Sequence, residues 1–210
     1  MTIIWIVVAA LTACVLYVIW DIRRIGKPTT GPQINLSART ETALLVIDMQ
    51  VDFTTLPTWT ESDLQQNFAQ ISASTSNAQH SGMPIIVVRH VFQGWLANLL
   101  NGLFNNGRGN NGSDGLGLDP RLSLTPSAEF VKSVGDAFSV PELDRYLAEH
   151  NVGHLILTGL DGCHCVNKTA QGARNRGYQV SIDPAAVLAA NPKQWSKVKD
   201  DLSTAGVEFL

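Results

Sequence analysis

Basic charge is in short supply in this chain. Lys and Arg number 15 against 18 Asp and Glu, for a formal net charge of −3. No cationic surplus is available to neutralise phosphates, so nucleic acid is excluded as an expected partner. Cysteine is scarcer still. Of the three present, Cys14 lies in an apolar N-terminal run, and Cys163 and Cys165 stand too close in sequence for a structural bridge. A disulfide scaffold is thereby excluded, and reduced thiols in a cytosolic domain are expected. No internal repeat is visible, which excludes a solenoid or propeller. What remains is a length of 210 residues, enough for one single-core domain acting on a small-molecule substrate.

Ile3 to Trp20 contains no charged residue, and Thr12 is its polar exception. As a helix these residues rise about 27 Å, close to the hydrocarbon thickness of a bilayer. The run therefore predicts a single transmembrane helix, with the lipid bilayer as partner through residues 3–20. Arg23, Arg24 and Lys27 all lie on its C-terminal flank, which places the N-terminus outside and the following domain in the cytoplasm. Residues 1–27 are expected as anchor and basic flank. Pro28, Gly31 and Pro32 mark 28–40 as a linker, leaving 41–210 as the globular domain.

Within that domain, Ala43 to Asp48 is a short apolar run ending in a carboxylate, the pattern of a strand buried on both faces. Pro84 to Arg89, His154 to Thr158, Tyr178 to Ile182 and Val207 to Leu210 repeat it, separated by stretches long enough for crossover helices. Leu64, Phe68 and Ile71 at helical spacing predict a helix over 61–79. Ser139 with Glu142 predicts a capping box for a helix through His150. Helices over 166–176 and 192–204 are followed by Gly177 and Gly206 at stop positions. This alternation predicts an α/β fold, a doubly wound, mostly parallel sheet with helices on both faces. Residues 93–127 are the exception. There Trp95, Leu96, Leu99, Leu100, Leu103 and Phe104 form an apolar stripe running into a Gly- and Asn-rich tract, expected to pack on the sheet or line a dimer contact.

In open parallel sheets reactive groups gather beyond the carboxyl ends of the strands. Asp48 ends the first strand, and Cys165 follows the turn Gly159-Leu160-Asp161-Gly162 where a helix is expected to begin. A thiol there meets the positive end of the helix dipole, which favours the thiolate. A metal held by Cys163, His164 and Cys165 is not expected, since adjacent residues cannot all face one ion. No cofactor is called for.

The segments ALLVIDMQVDF and GLDGCHCVNKTAQGARNRGYQVSIDPAA resemble the opening strand and nucleophile turn of the isochorismatase-like cysteine hydrolases. Lys132, in VKSVGDAF, matches that family's lysine, and the likeness extends over roughly residues 40–210. The resemblance implies a catalytic set of Asp48, Lys132 and Cys165 acting on an amide, carbamoyl or related carbon–nitrogen bond. It further implies an oxyanion hole from the backbone N–H groups of Asp161 and Cys165, with a cis peptide between Leu160 and Asp161. Gly162 departs from the threonine frequent at its place. The nicotinamidase branch has an Asp and a closely spaced His pair as a metal site; here His90 stands alone, so nicotinamide is a less expected substrate. Phe53, His90 and Trp95 are candidates for lining the substrate pocket. A thiol with a pKa near 8.5 needs a base at neutral pH, which Asp48 would be, with Lys132 holding it ionised. The competing expectation, drawn from the anchor and from Ala9 and Ala13 as a small-residue packing face, is an accessory or structural subunit of a membrane complex, or a homo-oligomer.

Overall fold

The computed structural model describes residues 5, 6, 8, 12–17 and 26–210, leaving aside the side chains of 95–97, 100 and 104. The expected spanning helix over 3–20 falls largely outside the described residues. Among those described, no helix is long and apolar enough to cross a membrane. The single-pass placement, with its outside N-terminus, cytoplasmic domain and bilayer partner, is thereby overturned. That expectation rested on the apolar run and on its basic flank, Arg23, Arg24 and Lys27, most of which lie outside the described residues.

Twelve elements follow in chain order: β1 (Glu41–Ile47), α1 (Val51–Thr54), α2 (Glu61–His80), β2 (Ile85–His90), α3 (Trp95–Asn105), β3 (Ala128–Lys132), α4 (Pro141–Glu149), β4 (Val152–Leu160), α5 (Asn167–Arg174), β5 (Gln179–Leu188), α6 (Pro192–Thr204) and β6 (Glu208–Phe209). All strands pair in parallel in the order β3-β2-β1-β4-β5-β6. The order reverses between β1 and β4, which makes their carboxyl ends the topological switch point where such sheets bind ligands.

Alternation along β1 explains why its run is unbroken. Ala43, Leu45 and Ile47 join Leu143, Leu147, Ala170 and Leu202 on one face, while Leu44 and Val46 join Leu64, Phe68 and Ile71 of α2 on the other. Both faces of the strand are covered by helices over its buried stretch 43–47, which is apolar throughout. The Thr60 hydroxyl accepts from Asp63 N, and the Asp63 carboxylate accepts from Thr60 N, a complete capping box for α2. Thr60→Ala should lower stability by about 1 kcal/mol in urea unfolding.

One strand was not foreseen and one expected cap does not form. β3 was not legible as a strand because it lies at the sheet edge with Glu129 and Val131 exposed. The capping box at Ser139 does not form: α4 begins at Pro141 with no side-chain cap, and the Ser139 hydroxyl donates instead to Asp136 O at 2.7 Å. Proline presets the first helical φ and has no N–H to satisfy, which removes part of the need for a cap. The stretch 28–40, read from the sequence as a linker, runs along the domain. Its Thr29 N–H and hydroxyl both donate to the Asp136 carboxylate at 2.7 Å, and Ile34 N–H donates to Arg176 O at 2.8 Å.

Candidate active site

Asp48 follows β1 directly and takes a left-handed backbone, φ 56°. Asp tolerates this region better than most side chains, at some cost in strain, and such strain concentrates at functional positions. The turn is held by its own N–H to Val88 O at 2.8 Å and by Gln50 N–H to Asp48 O at 2.8 Å. Gln50, fully buried, clamps the neighbouring strand: its Oε1 accepts from His90 N at 2.6 Å and its Nε2 donates to His90 O at 3.0 Å. The β2–β3 register pairs His90 with Lys132. Three consecutive sheet strands thus deliver Asp48, His90 and Lys132 to one point.

There the Lys132 ammonium donates to Asp48 Oδ2 at 2.7 Å and lies 2.9 Å from His90 Nδ1, with all three side chains buried. Cys165 arrives from the far side of the switch point. One ligating atom from each of Asp48, His90 and Cys165 lies within 4.8 Å of the others. By spacing, these donors would suit a metal ion. The Lys132 ammonium already holds two of them, however, and a second cation there would be repelled at close range in a poorly screened site, so the residues present do not fit a metal.

Burial raises the Asp48 carboxyl above its usual value, against the opposing pull of Lys132. For Lys132, burial is outweighed by the charges of Asp48 and Cys165, so its ammonium is held above the usual lysine value. His90 falls to about 3, through burial and then the Lys132 charge, and is therefore neutral. Burial and the Asp48 charge push the Cys165 thiol up to about 12, with Lys132 opposing. The expected resting thiolate is corrected accordingly. A five-residue π-turn, Gly162–Val166, precedes α5, so Cys165 does not sit on a bare helix N-terminus, and desolvation decides its charge.

The nucleophile turn is braced from behind. The Leu160–Asp161 peptide is cis, and the Asp161 carboxylate accepts from Cys163 N at 2.7 Å and Ala190 N at 2.8 Å, tying the turn to the end of β5. A Cβ at position 162 would lie 2.9 Å from Val187 and 3.0 Å from Trp195, so the packing itself selects glycine there. Cys163 points away, its thiol 3.5 Å from Asn191 O.

The insert is fastened to the segment that follows β1. Gly109 N–H donates to Asp52 Oδ2 at 2.6 Å, and Asp52 N, Val51 N and Asp119 N pair with Gly115 O, Gly117 O and Met49 O. Gly109 has φ +76°, and a Cβ on it would reach 2.7 Å from the Phe53 ring. Phe53, His90 and Phe92 form an aromatic cluster beneath, His90 and Phe92 with centroids 4.4 Å apart. Leu99 and Leu103 of the apolar stripe stay exposed, so the described part of the stripe does not pack on the sheet as expected. The side chain of Trp95 lies outside the described residues. Sequence reading passed over Gln50, Asp52 and the Asp161 carboxylate. Their signal was faint: polar residues of ordinary type, each within a few positions of a proposed catalytic residue.

Fold and site together define a class, a hydrolase on a doubly wound parallel sheet with acid, ammonium and thiol gathered at the switch point. The chain belongs to the isochorismatase family, whose model, described as an isochorismatase domain, matches residues 42–210. Its structure is similar to that of pyrazinamidase/nicotinamidase from Streptococcus mutans UA159, with 23% identity, TM-score 0.70, and coverage of 81% of this chain and 100% of that one. It is similar also to N-carbamoylsarcosine amidase from Thermoplasma acidophilum, with 22% identity, TM-score 0.68, and coverage of 81% and 95%. A third such structure is the pyrazinamidase of Pyrococcus horikoshii in complex with zinc, at 19% identity, TM-score 0.68, and coverage of 81% and 99%. At these identities the likeness is one of fold.

Proposed function

We propose that this chain cleaves an amide or carbamoyl carbon–nitrogen bond of a small molecule through a thioester on Cys165, with residues 41–210 as the catalytic unit. The observation that carries the reading is the buried contact of 2.7 Å between Lys132 Nζ and Asp48, across the switch point from a thiol that is neutral at rest. The names of two structural relatives, a nicotinamidase and a carbamoylsarcosine amidase, support that bond class.

In this reading Asp48 takes the Cys165 proton as Sγ attacks the carbonyl carbon. The oxygen of the tetrahedral intermediate is held by the backbone N–H groups of Asp161 and Cys165. Asp48 then gives its proton to the departing nitrogen, the carbon–nitrogen bond breaks, and the amine leaves a thioester. Water enters, Asp48 takes one of its protons, the acid is released, and the sulfur regains a proton. Lys132 stays positive throughout, steadying the carboxylate before attack and the sulfur when it departs.

The test is a screen of small amides, carbamoyl amines and ureides for amine release, with acid-quench mass spectrometry on any positive. An acyl adduct on Cys165 together with released amine is the expected result. Release from no class, or an adduct elsewhere, overturns the reading. The pH profile follows from the shifts above. kcat/KM should rise with Asp48 ionisation at a pH above the usual carboxylate range, because burial raises that group. It should then stay flat through the usual thiol range, because Cys165 titrates at about 12 and Lys132 above its ordinary value. A rise in kcat/KM near pH 8.5, where a free thiol ionises, would mark a pre-formed thiolate instead.

A further inference from the structure

Residues 26–34 precede the stretch 42–210 that matches the family model, yet they are bonded to the segments that carry Lys132 and Cys165. The chemistry of the site uses none of them.

Lys132 ends an edge strand. β3 has β2 as its one neighbour, so the place of the ammonium depends also on the loop 133–136 that follows it. That loop leans on α5, the helix that continues from the Cys165 turn, at three points. A Cβ on Gly135 would lie 2.6 Å from Lys168 Cδ, Ala137 N–H donates to Thr169 Oγ1 at 3.0 Å, and a Cβ on Gly172 would run into the Asp136 carboxylate. The Lys132 loop and the Cys165 helix thus meet along one seam. Asp136, fully buried, is a charge inside it.

A carboxylate buried in that place is costly unless donors meet it. From its own segment it receives Phe138 N–H, at 2.9 Å on Oδ1. Both bonds to Oδ2 come from Thr29, from the N–H and the hydroxyl, each at 2.7 Å. Burial holds the Asp136 carboxyl above its usual value, and the Thr29 bonds lead the groups that oppose this. From the other side of the seam, Arg176 Nη1 donates to the Thr29 hydroxyl at 2.9 Å, Asn175 Nδ2 to Thr29 O at 2.9 Å, and Lys168 to Gly26 O. One threonine therefore ties the end of α5 to the loop behind Lys132.

We propose that Thr29 and Asp136 are positioning residues: the strap 26–34 holds the Lys132 loop against α5, and with it the Lys132 ammonium in its place beside Asp48 and Cys165. This rests on the hydrolase reading and adds to it a segment from outside residues 41–210. With the strap loosened, Asp136 loses the donors to Oδ2, its loop shifts to bring the charge to water, and Lys132 shifts with it. The strap's share in the apolar cores is Ile34, so loosening costs position before it costs the fold.

The experiment compares the full chain with Thr29→Val, which keeps the shape and removes the hydroxyl, and Thr29→Ser, which keeps the hydroxyl. The first readout is the rate at which iodoacetamide labels Cys165 at a fixed alkaline pH, mapped by mass spectrometry. Lys132 favours the thiolate, so Thr29→Val should label about three- to tenfold more slowly, the range of one net hydrogen bond, and Thr29→Ser as wild type does. The second is turnover, where kcat should fall by a similar factor with KM within about twofold. A purely structural Thr29 would lower the unfolding midpoint and leave labelling unchanged, or speed it as the turn loosens. Either result overturns the proposal, as does a loss that serine shares. Should Thr29→Val not fold, Gln33→Ala with Asn175→Ala cuts exposed ties of the same strap and should slow labelling by about twofold or more; no slowing there overturns the proposal equally. Slowed labelling without turnover by the wild type would sink the hydrolase reading and keep this one. Turnover and labelling that both ignore the strap variants do the reverse.

Discussion

Asp48→Asn and Cys165→Ala should each lower kcat/KM by about ten-thousandfold or more, and the double variant should fall no further than the worse single. Residues that act on one proton in one step are not additive, because removing either partner already removes the step. Asp48→Asn is the sharper of the two. Asparagine is as much at home at the φ of 56° as aspartate, and its amide oxygen can still accept from Lys132, so the fold has no reason to fail. What is lost is the ability to take a proton from a thiol that titrates at about 12. Steady-state rates on any substrate found in the screen, with circular dichroism to establish folding, make the measurement. Asp48→Asn within about tenfold of wild type would show that another group serves as base.

Lys132→Met should destabilise the domain by about 3–5 kcal/mol in urea unfolding at neutral pH, the range for breaking a buried ion pair from one side. The methionine fills the space but leaves the Asp48 carboxylate buried without its cation, and His90 Nδ1 without its donor. Asp48 is raised even with Lys132 beside it, and without the ammonium it rises further. A carboxyl whose folded value is raised contributes its full stability below the unfolded value and loses it as pH rises through the folded one. The deficit of Lys132→Met relative to wild type should therefore shrink on acidification and grow toward neutral pH. Adding Asp48→Asn should recover most of the stability and none of the activity. A deficit that ignores pH, or persists in the double variant, would place its origin in packing rather than charge.

The sequence was most readable where burial is two-sided. β1, β2 and the helices α2 and α6 were expected within a few residues of where they lie, because a strand or helix face pressed into a core must be apolar at a fixed period. Legibility failed at edges and caps. The AEFVK of β3 alternates weakly because its outer edge meets no neighbour, so Lys132 was placed by resemblance and not by pattern. Proline at the start of α4 displaced the cap that Ser139 and Glu142 suggested. At the site, Asp48 stood out because it closes an apolar run at the sheet's carboxyl end, and Cys165 because it follows the glycine-containing turn after another such run. The state of the thiol was not, since it depends on how deeply three charges are enclosed, which no local spacing encodes. His90 was marked as a pocket residue, but its bond to Lys132 required the β2–β3 register. The apolar N-terminal run misled most, because hydropathy there was read without any packing to weigh against it.

Gly159 lies in β4 directly opposite Ile47, the residue before Asp48. Its φ is +112°, and a Cβ on it would fall 2.0 Å from Ile47 O and 2.7 Å from Ile47 N. At this point the two central strands touch main chain to main chain, with no side chain between. The gauge of the site, the span from the base on one strand to the nucleophile turn on the other, is therefore set by peptide geometry. Leucine, valine and isoleucine in the two cores can be exchanged over evolutionary time, each swap shifting helices by fractions of an ångström, without that gauge drifting. Position 159 itself is the exception. Any side chain there is a wedge driven between base and nucleophile, so the tolerance of the cores rests on the intolerance of one residue.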